Sequence, residues 1–471
     1  MNKRNFIFFT LPSVFNVFVG IALLPLYTQI LGPEDYGLVA IFTAILGLIL
    51  SLSDNGAGWV LASNFHRKKM DLKEINFQLL FSSYILKVLF IGLFYFFGQG
   101  IVSLVGQNYQ DVGLIYNIIL LSFIFTLFDS VALTYMIFNE EAKIHMFSQI
   151  SSSVLFNLTV YISLFSFNLG VISLVNGLLV SRLYLFIYFL VYMLNKIKIS
   201  FGKTIFNEVR TLGFPAIFKT TSSYILQNVD KILIQQLSSI SALGLYDFSL
   251  KFRGLQDVVS KSFNRVYGAY FFKSYENFDV KEHIKICNIW VGLNFLLSVL
   301  VFFFIGNVFD VLTNGKFNEA SLFVQLFFVS SIVNSYSLFY GLVLIAERQT
   351  MFVTKTSIGI GILSSVCMYF SIKFFGTVGA LYALNIASLS LLLIYIIRVK
   401  KIVGVMFNNF LFIGYLFISV SLLIFRNSIF NNVLVMEEFL ILVTIYVLIA
   451  ITIIITFYRN VNFFLKKQVD L

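Results

Sequence analysis

"LGLYDFSLKFRGLQDVVSKSFNRVYGAYFF", residues 243–272, has helical length and aromatic ends, yet it carries Asp247, Lys251, Arg253, Asp257, Lys261 and Arg265. Each such charge costs about 2.5–3.5 kcal/mol at the centre of a membrane helix, whereas on a helix in water it is ordinary. The surroundings of this segment therefore decide the fold. Hydrophobic residues make up 59% of the 471, charged residues 12%, and the mean hydropathy is +0.91. That leaves too little polar surface to cover a water-soluble globule. Runs such as "ILLSFIFTLFDSVALTYMIF" (119–138) and "FLILVTIYVLIAITIIITFY" (439–458) reach the roughly 20 apolar residues that cross the hydrocarbon as helix. They are continuous, where barrel strands alternate, so the expected class is an all-α polytopic membrane protein.

Hydropathy and breaks give about 14 spans, near 6–30, 37–63, 77–104, 113–138, 147–166, 171–194, 214–237, 244–271, 287–305, 321–346, 356–375, 378–397, 410–425 and 438–457. The first is read as a retained span, because its apolar stretch is too long for a signal peptide and no small-residue cleavage site follows. Basic residues stay on the cytoplasmic side. One set of alternate loops holds 22 Lys and Arg; the other holds only Lys316, Lys373 and Arg426. This supports an even number of crossings with both termini cytoplasmic. The net charge of +11 is then a topology signal, and no nucleic-acid partner is expected.

Eight further basic residues fall within spans, and six of them, Lys219, Lys231, Lys251, Arg253, Lys261 and Arg265, crowd into spans seven and eight. At about 100° per residue the six charges of 243–272 share an arc of about 160°, with Phe252, Val259 and Phe263 on the other side. An amphipathic helix can lie flat in the headgroups. That placement would invert the loops that follow, so a spanning helix lining a hydrated cavity is the preferred reading. Asp247 with Lys251, and Asp257 with Arg253 and Lys261, are spaced for helix ion pairs. Four bases against two acids still leave an excess of positive charge. Asp230 and Lys231 could equally bridge neighbouring helices.

"QILGPEDYGLVAIFTAILGLILSLS" aligns with "QQLSSISALGLYDFSLKFRGLQDVVS" at an offset of 207, matching Gly37 with Gly244 and Gly47 with Gly254; the same offset pairs Glu140 with Glu347. Six spans separate the copies, so both halves share one orientation. The expected organisation is an N-lobe over 1–200, a C-lobe over 201–402 and a final helix pair over 403–471, the two six-helix lobes being related by a pseudo-two-fold axis around a central cavity.

The stretches "LLPLYTQILGPEDYGLVAIFTAI" (23–45) and "VDKILIQQLSSISALGLYDFSLKF" (229–252) resemble the polysaccharide flippases of the multidrug/oligosaccharidyl-lipid/polysaccharide (MOP) exporter superfamily, close to the Wzx-like O-antigen flippases. The resemblance implies translocation of an undecaprenyl-pyrophosphate-linked oligosaccharide from the cytoplasmic to the periplasmic leaflet of the bacterial inner membrane, through a cationic cavity. It implies membrane lipids, a polysaccharide polymerase and a chain-length regulator as partners. Charge logic agrees: a pyrophosphate is too costly to bury bare, and Lys219, Lys231, Lys251, Arg253, Lys261 and Arg265 would offset that cost. Asp54, Asp129, Asp230, Asp247 and Asp257 are candidates for ion coupling or charge pairing. No cofactor is expected, and coupling to protons or sodium stays open.

Three other readings remain. They are a lipid II or teichoic-acid precursor flippase, a cation-coupled drug exporter, which the basic lining disfavours, and a polymerase or glycosyltransferase. The connector "NKIKISFGKTIFNEVRTL" (195–212) offers that enzyme no suitable acidic pair. No catalytic or metal site is expected: Cys287 and Cys367 lack ligand spacing, and His66, His145 and His283 are read as loop residues. Tyr246, Tyr267 and Tyr270 are candidates to stack on sugars.

Overall fold

A computed structural model describes residues 3–53, 60–61, 72–106, 112–126, 128–194, 196–199, 207, 214–274, 280–403, 414–415, 417–419 and 421. Every described element is a helix, and the chain forms two compact units, Met1–Gln235 and Gln236–Leu471.

The first unit holds α1 (Lys3–Ala22), α2 (Leu24–Ile30), α3 (Pro33–Ser53), α4 (Leu72–Gly106), α5 (Val112–Ile124), α6 (Asp129–Phe138), α7 (Ala142–Phe165), α8 (Val171–Leu194) and nearly all of α9 (Phe214–Leu237). The stretches 171–194 and 214–237, expected as spans, form the helices α8 and α9 with the same bounds. Two others are broken. The span read as 6–30 bends by 45° between α1 and α2, where Pro25 sits in the first turn of α2 and cannot donate to the preceding turn. The span read as 113–138 bends by 41° between α5 and α6. Pro33 then opens α3, followed by Glu34 and Asp35, and the Asp35 carboxylate accepts the Gly32 N–H at 2.7 Å. A core of Leu79, Val131, Met136, Leu185, Phe189 and Met193 joins α4, α6 and α8.

The second unit holds α10 (Ile240–Ser274), α11 (Val280–Thr313), α12 (Ala320–Ala346), α13 (Thr350–Phe375) and α14 (Thr377–Val403). α12 is its axle. It is apolar all round, and 72% of its most apolar stretch is buried, against 11% for α13, which is left for lipid to cover. Serines on α12 return their hydroxyls to the helix itself, as Ser330 does to the Phe327 carbonyl at 2.7 Å and Ser335 to Ser331 at 2.7 Å. Gln325 donates across to the Phe302 carbonyl of α11 at 3.0 Å, and Asn385 of α14 to Leu326 at 3.2 Å. The hairpin between α13 and α14 turns on Gly376, at φ +60° and ψ −152°, a conformation essentially confined to glycine.

Among the described residues, α8, α12, α13, α14 and Glu282–Thr313 of α11 are each long and apolar enough to cross a membrane, and the two bent pairs add one span each if counted whole. The span expected at 438–457 lies outside the described residues, and 410–425 is described only in part. The histidine reading needs correction: His145 lies in the first turn of α7 and His283 in the first turn of α11, where it is buried, because these helices run beyond the apolar stretches that mark them. His66 is outside the described residues.

The repeat can be traced in the turns. α3 begins at Pro33 and α10 at Ile240, 207 apart. The turn after α6 places Glu140 at φ 56°, with the N–H groups of Asn139, Glu140 and Glu141 bonded to the carbonyls of Tyr135, Ile137 and Met136. The turn after α12 places Arg348 at φ 56°, with Glu347, Arg348 and Gln349 bonded in the same pattern to Val343, Ile345 and Leu344. The structural register at this corner is therefore 208, and Glu140 corresponds to Arg348 rather than Glu347. Each turn is also clasped to a later stretch of its own unit, the end of α8 in the first and α14 in the second. Glu141 accepts the Lys196 ammonium at 2.6 Å and the Tyr192 hydroxyl, while Gln349 Oε1 accepts Arg398 Nη2 at 2.8 Å.

Candidate functional site

The charged segment 243–272 forms nearly all of α10, an integral helix of its bundle. One face is buried through Tyr246, Phe248, Ser249, Phe252, Gln256, Tyr267 and Phe271. Phe248 stacks on Phe317 with ring centroids 4.3 Å apart and meets Phe309 edge-on. Phe263 stacks on Trp290 at 3.8 Å, and Gln256 Nε2 donates to Asn294 Oδ1 at 2.8 Å. Packing of this kind along the helix is not that of a helix lying alone in the headgroups.

By helical position Asp247, Lys251 and Asp257 occupy the remaining face, and Arg253 lies at its border with the buried one. Asp247, Lys251, Arg253 and Asp257 are all half-buried. Arg253 Nε lies 4.0 Å from Asp257 Oδ2, one turn on, and its guanidinium sits over the Phe327 ring at 5.1 Å. The division into an apolar and a charged face follows the sequence pattern, with one correction: Val259, expected on the packed side, is 48% exposed. A second correction concerns the tyrosines. Tyr246 and Tyr267 are buried in the core, Tyr246 against Phe327 and Tyr267 bonded to His283, so neither ring is open to a sugar. Tyr270 donates to Glu282 at 2.9 Å.

On α9, Asp230 is buried and its Oδ1 accepts the Lys231 N–H at 2.8 Å, while the Lys231 side chain is half-buried. The side chains of Lys219, Lys261 and Arg265 lie outside the described residues, as does Asp54 altogether.

Sequence reasoning missed the other charged cluster, at the break between α5 and α6. The Thr126 and Asp129 N–H groups make tight i to i−3 bonds there, to Phe123 at 3.2 Å and Thr126 at 3.3 Å. The Thr126 carbonyl, which accepts the Asp129 N–H, also accepts the buried Lys87 ammonium of α4 at 2.5 Å. Three residues on, Asp129 accepts Arg182 Nη1 of α8 at 2.9 Å. Two cations from two helices thus hold one kink. Lys87 and Arg182 are the other two basic residues within apolar runs, and the pairing of Asp129 with Arg182 is tertiary, across 53 residues.

Residues 26–275, more than half of the chain, match a family model described as "Polysaccharide biosynthesis protein". No curated protein matches the chain. Among solved structures it is similar to the lipid II flippase MurJ in an inward closed conformation, with 17% identity and a TM-score of 0.75, covering 97% of this chain and 99% of that one. It is also similar to an inward-facing multidrug resistance MATE transporter of the MOP superfamily, at 12% identity and TM-score 0.62, covering 83% and 95%. A third is a MOP superfamily transporter from Pyrococcus furiosus, whose binding pocket is described as having reverse polarity, at 15% identity and TM-score 0.55, covering 84% and 96%. At these identities the likeness concerns the fold. By its family match the chain belongs to the polysaccharide biosynthesis proteins, and by its helical architecture it shares the fold of the MOP-superfamily transporters.

Proposed function

We propose that the protein is a flippase that moves an undecaprenyl-pyrophosphate-linked oligosaccharide from the cytoplasmic to the periplasmic leaflet of a bacterial inner membrane, with both termini cytoplasmic. The observation that carries this is the charged face of α10, where Lys251 and Arg253 are half-buried on a helix whose opposite face is packed. In a polysaccharide biosynthesis protein with a transporter fold, the ligand such a face suits is a polyanion attached to a glycan. Lys219, Lys231, Lys251, Arg253, Lys261 and Arg265 would line a cationic cavity. Arginine would grip phosphate oxygens in pairs and lysine would act as a point charge, while the isoprenyl tail stays in lipid. A polysaccharide polymerase and a chain-length regulator would take up the product. With the cytoplasm negative, each negative charge carried outward gains about 2.3 kcal/mol per 100 mV. Asp54, Asp129, Asp230, Asp247 and Asp257 remain the carboxylates to test for ion coupling, with Asp129 in the different role of partner to Arg182.

Lipid II presents the same pyrophosphate, so the likeness to MurJ keeps a lipid II flippase as the second reading. Deletion of the gene separates the classes. Lipid-linked oligosaccharide retained on the inner leaflet supports the proposal; rescue of a strain depleted of its lipid II flippase supports the second reading; failure to assemble or polymerise the glycan supports an enzyme. In the complemented strain, Lys251→Gln and Arg253→Gln should each abolish translocation with normal membrane insertion. Full activity of the double variant removes both from the site.

A further inference from the structure

The first unit contains a polar cavity that the cationic path does not use. It opens between α1, α7 and α8 with a volume of about 310 Å³, at the lower end of the range for ligand sites. Its polar lining includes Asn16, Gln149, Ser153, Asn157, Ser181 and Arg182, and Phe156 supplies an aromatic wall. Ser181 and Arg182 lie near the middle of α8, and Asn16 lies within the bent span of α1 and α2, so the cavity sits deep among apolar helices. Polar groups at that depth mark a path for substrate or ions.

Its walls are built. A Cβ on Gly177 would meet Val160 Cγ2 at 2.5 Å and the Phe156 carbonyl at 3.0 Å, so α7 and α8 approach closely there and a larger residue would displace Val160. Asn157 accepts the Tyr27 hydroxyl at 2.9 Å and donates to the Ser153 carbonyl at 2.7 Å. Two carboxamides are uncommitted: the side chains of Asn16 and Gln149 make no hydrogen bond among the described residues.

Charge decides the ligand. No carboxylate lines the cavity, so it does not suit a metal ion or an organic cation. Its only cationic side chain, Arg182, is neutralised by Asp129, so it does not suit pyrophosphate. What fits is a neutral molecule dense in hydroxyls, with an apolar face to lay on Phe156. We propose that this cavity is a subsite for one uncharged sugar residue of the transported glycan, its hydroxyls bonded by Asn16, Gln149 and Ser153; this rests on the flippase reading above.

The test uses the purified full chain in detergent and two probes: the glycan released by mild acid from the lipid-linked oligosaccharide of the deletion strain, and farnesyl pyrophosphate. Asn16→Leu and Gln149→Leu should each weaken glycan binding at least tenfold, while farnesyl pyrophosphate binding and the melting temperature are unchanged. Asn16, exposed on α1, can be replaced with little disturbance to packing and carries the test by itself. Glycan affinity unchanged in both variants, with translocation lost in the deletion strain, overturns the subsite alone. Normal translocation in the deletion strain overturns the flippase reading and the subsite with it.

Discussion

At the scale of single residues, the Asp129–Arg182 pair is the charged contact whose loss is most informative. Its side chains are 18% and 29% exposed, between the exposed pairs that contribute little and the buried pairs whose halves are costly to orphan. Asp129→Asn and Arg182→Leu should each lower stability in detergent by about 2 kcal/mol, the double variant losing less than the sum. Thermal melting of the four proteins reads the coupling directly; strict additivity would show that the pair does not hold the kink. Neither residue advertised this role in the sequence. A carboxylate and a guanidinium in separate apolar runs can be counted from composition, but their meeting depends on how α6 and α8 pack. By contrast, the spacing of Arg253 and Asp257 is local to one helix and was legible at once.

At the scale of elements, α10 shows what periodicity can and cannot give. The amphipathic split was readable because the turn angle is a constant of the helix. The width of the buried stripe was not, because it depends on where α11 and α12 stand; hence Val259 is exposed while Tyr246 and Tyr267 are core. Phe248→Ala, which empties the stack against Phe317 and Phe309, should cost about 3–5 kcal/mol, and Val259→Ala under about 0.5 kcal/mol. Equal losses in unfolding experiments would show that α10 is not seated as described. Helix ends were read well where apolar runs stop abruptly, as at α8 and α9. The two bends were not read. One has Pro25 as a local cue, whereas the other follows from contacts made by Lys87 and Arg182, which no local pattern reports.

At the scale of the molecule, the asymmetry of basic residues between alternate loops makes a topological prediction. Single cysteines placed at Lys143 or Lys355 should be labelled by an impermeant maleimide only after the cells are opened, and cysteines at Lys316 or Lys373 in intact spheroplasts. The reverse pattern would invert the protein and the direction of transport with it. Both units also repeat one corner, the clasped turn, in different chemistry. Around Glu141 it is held by an acid and an ammonium; around Gln349 it is held by a neutral amide and a guanidinium. Salt weakens the first kind of latch far more than the second. Twin halves of common design therefore need not respond alike to the ionic strength of the medium that bathes them, and a duplicated scaffold acquires two separately adjustable joints.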